Sequence, residues 1–266
     1  MRTRGQRRGP VIVDNWNAWA LRGLVGWWCP SATSPTGLSL LDISGNNNTG
    51  TLTNMDAPTD WVQNGGKTAL DFDGSNDFVS ISTGSILPLG SSQRTVATWF
   101  KLNANTNALM FSYGGNSGAG QRFSLWRNGA TVGLEANGNS VTGPFTYDTN
   151  WHHLVVVKNG SSTSLSSVDV YLDGNALSTT VSGSASINTL ATDPVIGTIS
   201  GANTGTGYNW NGQLDSIRVY NRELTSFEIR LLYAGGRGFG LLNFIRRYPM
   251  RSTGNRRRRV LLGAEC

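Results

Sequence analysis

The sequence is poor in the residues that most chemistry requires. Its 266 residues include two cysteines, two histidines and four glutamates, and Asp, Glu, Lys and Arg together make up only 14%. Cys29 and Cys266 are too few for a disulfide framework or a thiolate metal site. Cys29 follows Trp27-Trp28 and reads as a buried thiol, Cys266 as the end of a tail, with a bridge between the two as the alternative. His152 and His153 are adjacent. On a strand they point to opposite faces and cannot chelate one metal, so both read as structural. No apolar run approaches the ~18 residues of a membrane span. The start is basic (Arg2, Arg4, Arg7, Arg8), but Asp14, Asn15, Asn17 and Arg22 interrupt the next stretch, so no signal-peptide core forms. The expectation is a chain made in the cytoplasm without a signal peptide.

Glycine is plentiful, with 34 residues, and nine Trp offer a large apolar core. Short β-branched and aromatic runs end in Gly, Asn or Asp turns such as Gly114-Gly115, Asn128-Gly129, Asn137-Gly138, Asn159-Gly160 and Asp173-Gly174. Strands are predicted at 24–28, 95–102, 108–113, 122–127, 132–136, 151–158, 168–172, 194–199 and 212–220. Residues 69–74 and 77–81 alternate apolar and polar residues around Ser75-Asn76, the pattern of a half-buried hairpin. One helix is marked by a capping box, Thr225 as N-cap with Glu228 at N3, and is stopped by Gly235-Gly236. More than ten strands with almost no helical periodicity predict an all-β fold: a two-sheet antiparallel sandwich or jelly roll with one short C-terminal helix.

Three of these segments carry a resemblance. They are Trp151-His152-His153-Leu154, then Tyr171-Leu172-Asp173-Gly174, then Leu214-Asp215-Ser216-Ile217-Arg218-Val219-Tyr220-Asn221-Arg222. Together with Gly26-Trp27-Trp28 and Asp42-Ile43-Ser44-Gly45-Asn46-Asn47-Asn48, they resemble the laminin-G-like branch of the concanavalin A-like lectin/glucanase superfamily, over residues 23–235. The resemblance implies a scaffold used mainly for binding and sometimes for catalysis. It also implies a structural calcium. Asp42, Asn46 and Asn48 offer oxygens from one loop and Asp215 sits at the Leu-Asp motif, while the same residues equally suit Asx turns and a backbone cap.

Glucanases of this superfamily set the test for catalysis. A retaining mechanism needs two carboxylates about 5–5.5 Å apart. The sequence has no Glu-x-Asp-x-Glu run, and three of its four glutamates, Glu223, Glu228 and Glu265, fall in the helix region or the tail. The chain therefore reads as a non-enzyme. Sugar binding would need exposed aromatics beside polar groups. Trp126, Tyr208, Trp210 and Tyr113 are the candidates, with Trp210, flanked by Asn209 and Asn211, reading as the most exposed.

Charge is segregated along the chain. Residues 1–22 carry five Arg and one Asp, net +4; residues 230–266 carry nine Arg and one Glu, net +8; the body between them is net −6. The domain reading is a basic arm over 1–22, a sandwich over 23–235 and an arginine-rich arm over 236–266. Arg2, Arg4, Arg7 and Arg8 at one end, and Phe244, Arg246, Arg247, Arg256, Arg257, Arg258 and Arg259 at the other, are the candidate partner-binding residues. An acidic body repels a duplex, so nucleic acid is disfavoured. Apolar residues beside the Arg clusters favour a protein partner. Similar domains occur on tailed-phage particles. The expectation is thus a capsid decoration or head-fibre protein at the virion surface, homo-oligomeric and anchored on the major capsid protein or another virion protein. Its sandwich would face outward, where a host-surface glycan could be met. The alternatives are an extracellular or cell-surface carbohydrate-binding module and a divergent glycoside hydrolase.

Overall fold

The computed structural model describes residues 19–32, 37–64, 67–82, 87–184, 186–201, 204–205 and 207–236. The strands are β1 (Leu24–Trp28), β2 (Ser39–Leu40), β3 (Gly50–Thr53), β4 (Trp61–Asn64), β5 (Lys67–Asp73), β6 (Phe78–Ile81), β7 (Arg94–Leu102), β8 (Ala108–Gly114) and β9 (Arg122–Asn128). They continue with β10 (Thr131–Glu135), β11 (Ser140–Pro144), β12 (His152–Lys158), β13 (Val168–Leu172), β14 (Asn175–Ala176), β15 (Thr180–Ser182), β16 (Val195–Ile196) and β17 (Asn211–Tyr220). Helices α1 (Ala57–Asp60) and α2 (Ser226–Gly236) complete the order.

The strands form two antiparallel sheets. One runs β14-β13-β12-β7-β17-β5-β4, with β1 also on β17; the other runs β15-β11-β10-β9-β8-β16-β6-β3-β2. The predicted sandwich is therefore the observed fold. Between the sheets lies one apolar core that includes Trp28, Phe72, Phe100, Phe111, Phe123, Val156 and Trp210. Full burial of each such side chain contributes roughly 1.5–3 kcal/mol. Alternation assigns the faces: in β9, Phe123 and Leu125 enter this core, which leaves Arg122, Ser124 and Trp126 on the opposite face. A second cluster covers the outer face of the first sheet, where Leu224, Ile229 and Leu232 of the helical segment pack on Ala97, Val155 and Tyr220.

The capping box forms at its predicted place. The Thr225 amide donates to Glu228 Oε2 at 2.8 Å and the Glu228 amide to Thr225 Oγ1 at 3.3 Å. The predicted hairpin around Ser75-Asn76 does not form. β5 pairs with β4 and β17 in one sheet, and β6 with β3 and β16 in the other. The turn is an arch between sheets, tied by the Asp73 amide to Asp77 Oδ2 at 3.0 Å and the Ser75 amide to Asp73 Oδ1 at 2.7 Å. Period-two alternation fixes which face of each strand is apolar. It does not say that two neighbouring strands must pair, and here both apolar faces enter the core from opposite sides.

A bulge in β17 gives the Leu-Asp-x-x-Arg run its structural role. The register against β7 shifts between Asp215 and Arg218, and Ser216 takes a left-handed φ of 52°. Its two halves then meet different neighbours, Asn211–Leu214 pairing with β5 and Ile217–Tyr220 with β1.

Candidate functional site

The outer face of the second sheet carries a groove of about 730 Å³. Its floor is set by register. Trp126 of β9 stands opposite Gly133 of β10, and Gly133 opposite Thr142 of β11. Gly133 leaves no side chain beside the indole, and none could be added: a Cβ there would sit 2.2 Å from the Val141 carbonyl oxygen. The floor next to Trp126 is thereby flat. The next row on the same face holds Ser124, Glu135 and Ser140.

Loops raise the walls. Ser200 is wired to β8, its amide donating to Ser112 Oγ at 3.2 Å and its hydroxyl to the Gly114 carbonyl at 3.0 Å. Downstream, the Leu109 amide donates to the Tyr208 carbonyl at 2.9 Å. Tyr208 lines the groove, is 52% exposed and holds a left-handed φ of 56°. That backbone state is uncommon for a bulky side chain and costs of order 1–3 kcal/mol. Beside the Ser200 loop, where the Ser200 carbonyl accepts from Asn116 Nδ2, the 116–122 and 135–139 segments are joined through one ion pair. Arg122 donates from Nε to Glu135 Oε2 at 2.7 Å and from Nη2 to Oε1 at 2.6 Å, with the two side chains 6% and 9% exposed. Arg122 Nη1 also donates to Asn116 Oδ1, and the Gly138 amide donates to Glu135 Oε1 at 3.2 Å.

The candidate aromatics separate. Trp126 and Tyr208, 82 positions apart, line the same groove. Trp126 Nε1 is buried with no acceptor among the described residues. Trp210 is fully buried, edge-on to Phe100 at 5.8 Å, so its reading as the most exposed aromatic is corrected. The flanking Asn209 and Asn211 are its outward neighbours in an alternating segment, which leaves the indole facing in. Tyr113 is fully buried too, bonded to Arg94 Nη1 at 3.0 Å. Arg122, Glu135 and Asn116 belong to the groove without belonging to any sequence motif. Their signal lies in the strand parity that places Arg122 and Trp126 on one face.

The candidate calcium loop is self-satisfied. Asp42 Oδ1 accepts from the amides of Trp27 and Ser44, both at 2.9 Å; Oδ2 accepts from the Asn48 amide at 3.0 Å and Asn48 Nδ2 at 2.8 Å. Asn46 Nδ2 donates to the Val25 carbonyl at 3.2 Å. Four N–H donors occupy the lone pairs a cation would need, so the loop as folded fits the Asx-turn alternative and not calcium. Asp215 lies buried at the β17 bulge. Among the described residues, no group of three His, Cys, Asp or Glu could hold a metal ion.

The two histidines take separate structural places. His152 bonds Asp173 Oδ2 through Nδ1 at 2.8 Å and Asp148 Oδ1 through Nε2 at 3.0 Å. Burial works against its imidazolium, but these carboxylate bonds outweigh it and hold the ring's pKa above the ordinary value. His153 is buried against Trp99 at 5.0 Å and Tyr233 at 6.3 Å, and burial, aided by Arg218, pushes its pKa down to about 3. Cys29 is fully buried as expected. The arm residues Arg2, Arg4, Arg7, Arg8, Phe244, Arg246, Arg247, Arg256, Arg257, Arg258 and Arg259 lie outside the described residues.

Comparison with known proteins agrees with this geometry at the level of fold. No curated protein matches the chain. Domain 4 of AbnA, a GH43 extracellular arabinanase from Geobacillus stearothermophilus, solved with arabinotriose, is similar at a TM-score of 0.57 and 17% identity, covering 79% of this chain and 98% of that domain. Trypanosoma rangeli sialidase, solved with the inhibitor DANA, gives 0.56 and 17%, covering 82% of this chain but 34% of the sialidase. The receptor binding domain of botulinum neurotoxin C/D mosaic serotype gives 0.54 and 14%, covering 80% and 51%. A family model matches residues 73–230, and the chain belongs to the family that model describes, the Concanavalin A-like lectin/glucanases superfamily.

Proposed function

We propose that the chain is a non-catalytic carbohydrate-binding protein, with the groove over the second sheet as its sugar site. The observation that carries this reading is Tyr208: a large aromatic, exposed, held in an unfavourable backbone state, on the same groove as Trp126. Strain of this kind persists where surrounding structure imposes it, and it clusters at binding sites. A sugar ring has apolar C–H faces and a polar hydroxyl edge. Two aromatics amid amides and hydroxyls answer both. The arabinotriose bound to the arabinanase domain, which the match covers almost whole, is consistent with sugar binding on this scaffold.

Catalysis is not part of the proposal. Glycoside hydrolysis requires a pair of carboxyl groups across the scissile bond. The described lining of the groove holds one, Glu135, with both oxygens taken by Arg122. The test is titration calorimetry of the full chain against a panel of oligosaccharides. Binding that falls at least about tenfold in both Trp126→Ala and Tyr208→Ala, with unchanged melting profiles, supports the groove. Full retention in both variants refutes it. Turnover of a bound oligosaccharide, lost in Glu135→Gln, would make the chain a hydrolase.

The segregated charge favours a second, compatible role. We infer that the arms, net +4 and net +8, anchor the sandwich as a homo-oligomer to a larger assembly, a capsid protein of a phage particle, leaving the groove outward at the virion surface. Deleting 237–266 should abolish particle attachment while leaving sandwich melting and sugar binding intact. Attachment that survives the deletion would remove the anchoring role.

A further inference from the structure

We propose that the groove accepts uncharged glycans and rejects acidic ones, and that the Arg122–Glu135 pair sets this selectivity. The inference rests on the carbohydrate-binding reading above. Among the described lining residues, Arg122 and Glu135 carry the only full charges. Each is committed to the other. Two guanidinium nitrogens meet two carboxylate oxygens at 2.7 and 2.6 Å, a third guanidinium nitrogen is on Asn116, and the Gly138 amide caps the carboxylate at 3.2 Å.

A uronate or sialate entering the groove would shed its hydration and find no unpaired cation among the described lining residues. Neutral amides and hydroxyls return less than the cost of desolvating a full charge. To reach Arg122, the ligand carboxylate would have to displace Glu135, leaving that side chain buried without its counter-charge, which is strongly unfavourable. A neutral polyol meets neither penalty. Asn128 and Thr142 line the groove with an amide and a hydroxyl that have no partner among the described residues. Both groups donate and accept, matching sugar hydroxyls in either sense. The same pair also fastens the 116–122 wall to the 135–138 turn, so geometry and charge neutrality depend on one contact.

The test uses a matched pair of oligosaccharides, one neutral and one with its C6 hydroxymethyl groups oxidised to carboxylates, titrated into the full chain at low and high NaCl. The neutral sugar should bind with little salt dependence, and the oxidised one at least about tenfold more weakly. Glu135→Gln leaves Arg122 uncompensated and should raise the oxidised ligand's affinity to or above that of the neutral one. If that variant fails to fold by circular dichroism, the wild-type pair and its salt series decide alone. Equal or tighter wild-type binding of the oxidised sugar, weakened by salt, overturns the selectivity and leaves the sugar groove standing. Binding of neither ligand overturns both.

Discussion

His153 should make this fold acid-sensitive through one identifiable residue. The ring is 1% exposed, packed against Trp99 and Tyr233, and its Nδ1 has no hydrogen-bond partner among the described residues. Burial, then the nearby Arg218 charge, lower its pKa from 6.5 to about 3, against a smaller opposing pull from Asp173. Its folded pKa is depressed, so the unfolded chain binds the proton first. The stability is fully present above pH 6.5 and is lost as pH falls towards 3. Each pH unit inside that window is worth about 1.4 kcal/mol, so acidification from pH 7.5 to 5 should cost about 2 kcal/mol through this ring. For a domain of this size that is a fall of about 4–8 °C in Tm. Asp77 titrates in the same window with opposite sign. Burial raises its pKa to about 6, so protonation on acidification relieves a cost the folded state bears at neutral pH. Wild type alone is therefore not diagnostic. His153→Phe keeps a flat ring between Trp99 and Tyr233, removes the orphan nitrogen and leaves Asp77 in place. Urea unfolding of both proteins at pH 7.5, 6.5, 5.5 and 5 isolates the contribution of the ring. The variant's stability relative to wild type should rise by about 2 kcal/mol across the series. A difference that stays constant within about 0.5 kcal/mol would refute the assignment of the acid sensitivity to His153.

The geometry sets three further outcomes. Tyr208→Asn, which suits the left-handed φ of 56°, should stabilise the fold by up to about 1 kcal/mol while lowering sugar affinity at least about tenfold; stability unchanged or lower would remove the strain argument. Arg122→Ala leaves Glu135 buried without its partner and should cost about 3–5 kcal/mol by denaturant unfolding, whereas Arg122→Met combined with Glu135→Met should cost less than the two single changes summed. Chelation by EDTA, or addition of millimolar Ca²⁺, should move Tm by less than about 1 °C, because four N–H donors already fill the Asp42 carboxylate; Asp42→Ala, which strands those donors, should cost about 2–4 kcal/mol.

What the sequence made legible were properties local to one strand or one turn. The Thr225 and Glu228 capping box and the opposite faces taken by His152, against Phe100, and His153, against Trp99, are of this kind, because a three-residue spacing or strand parity determines them without reference to a partner. Pairing is another matter. The β5–β6 turn has every local sign of a hairpin, and whether it closes one or arches between sheets depends on strands 100 residues and more away, β16 and β17. Trp210 shows the same limit in a single residue. Polar neighbours on both sides suggest exposure, yet in an extended segment polar-apolar-polar is also the signature of an inward-facing residue, and the 0% exposure of the indole resolves it. The groove inherits this dependence. Arg122 and Glu135 are 13 positions apart and become diagonal neighbours only because Ser124 registers against Glu135 across the β9–β10 turn. Tyr208 reaches the same face through a loop whose course is set by its bonds to β8. Sequence could name the aromatics, but only register could say which of them share a surface. Selectivity depends on register as well: an isolated Arg122 would favour anions, and an isolated Glu135 would favour cations. The neutral surface exists because a two-residue turn at Gly129 and Ala130 places one over the other.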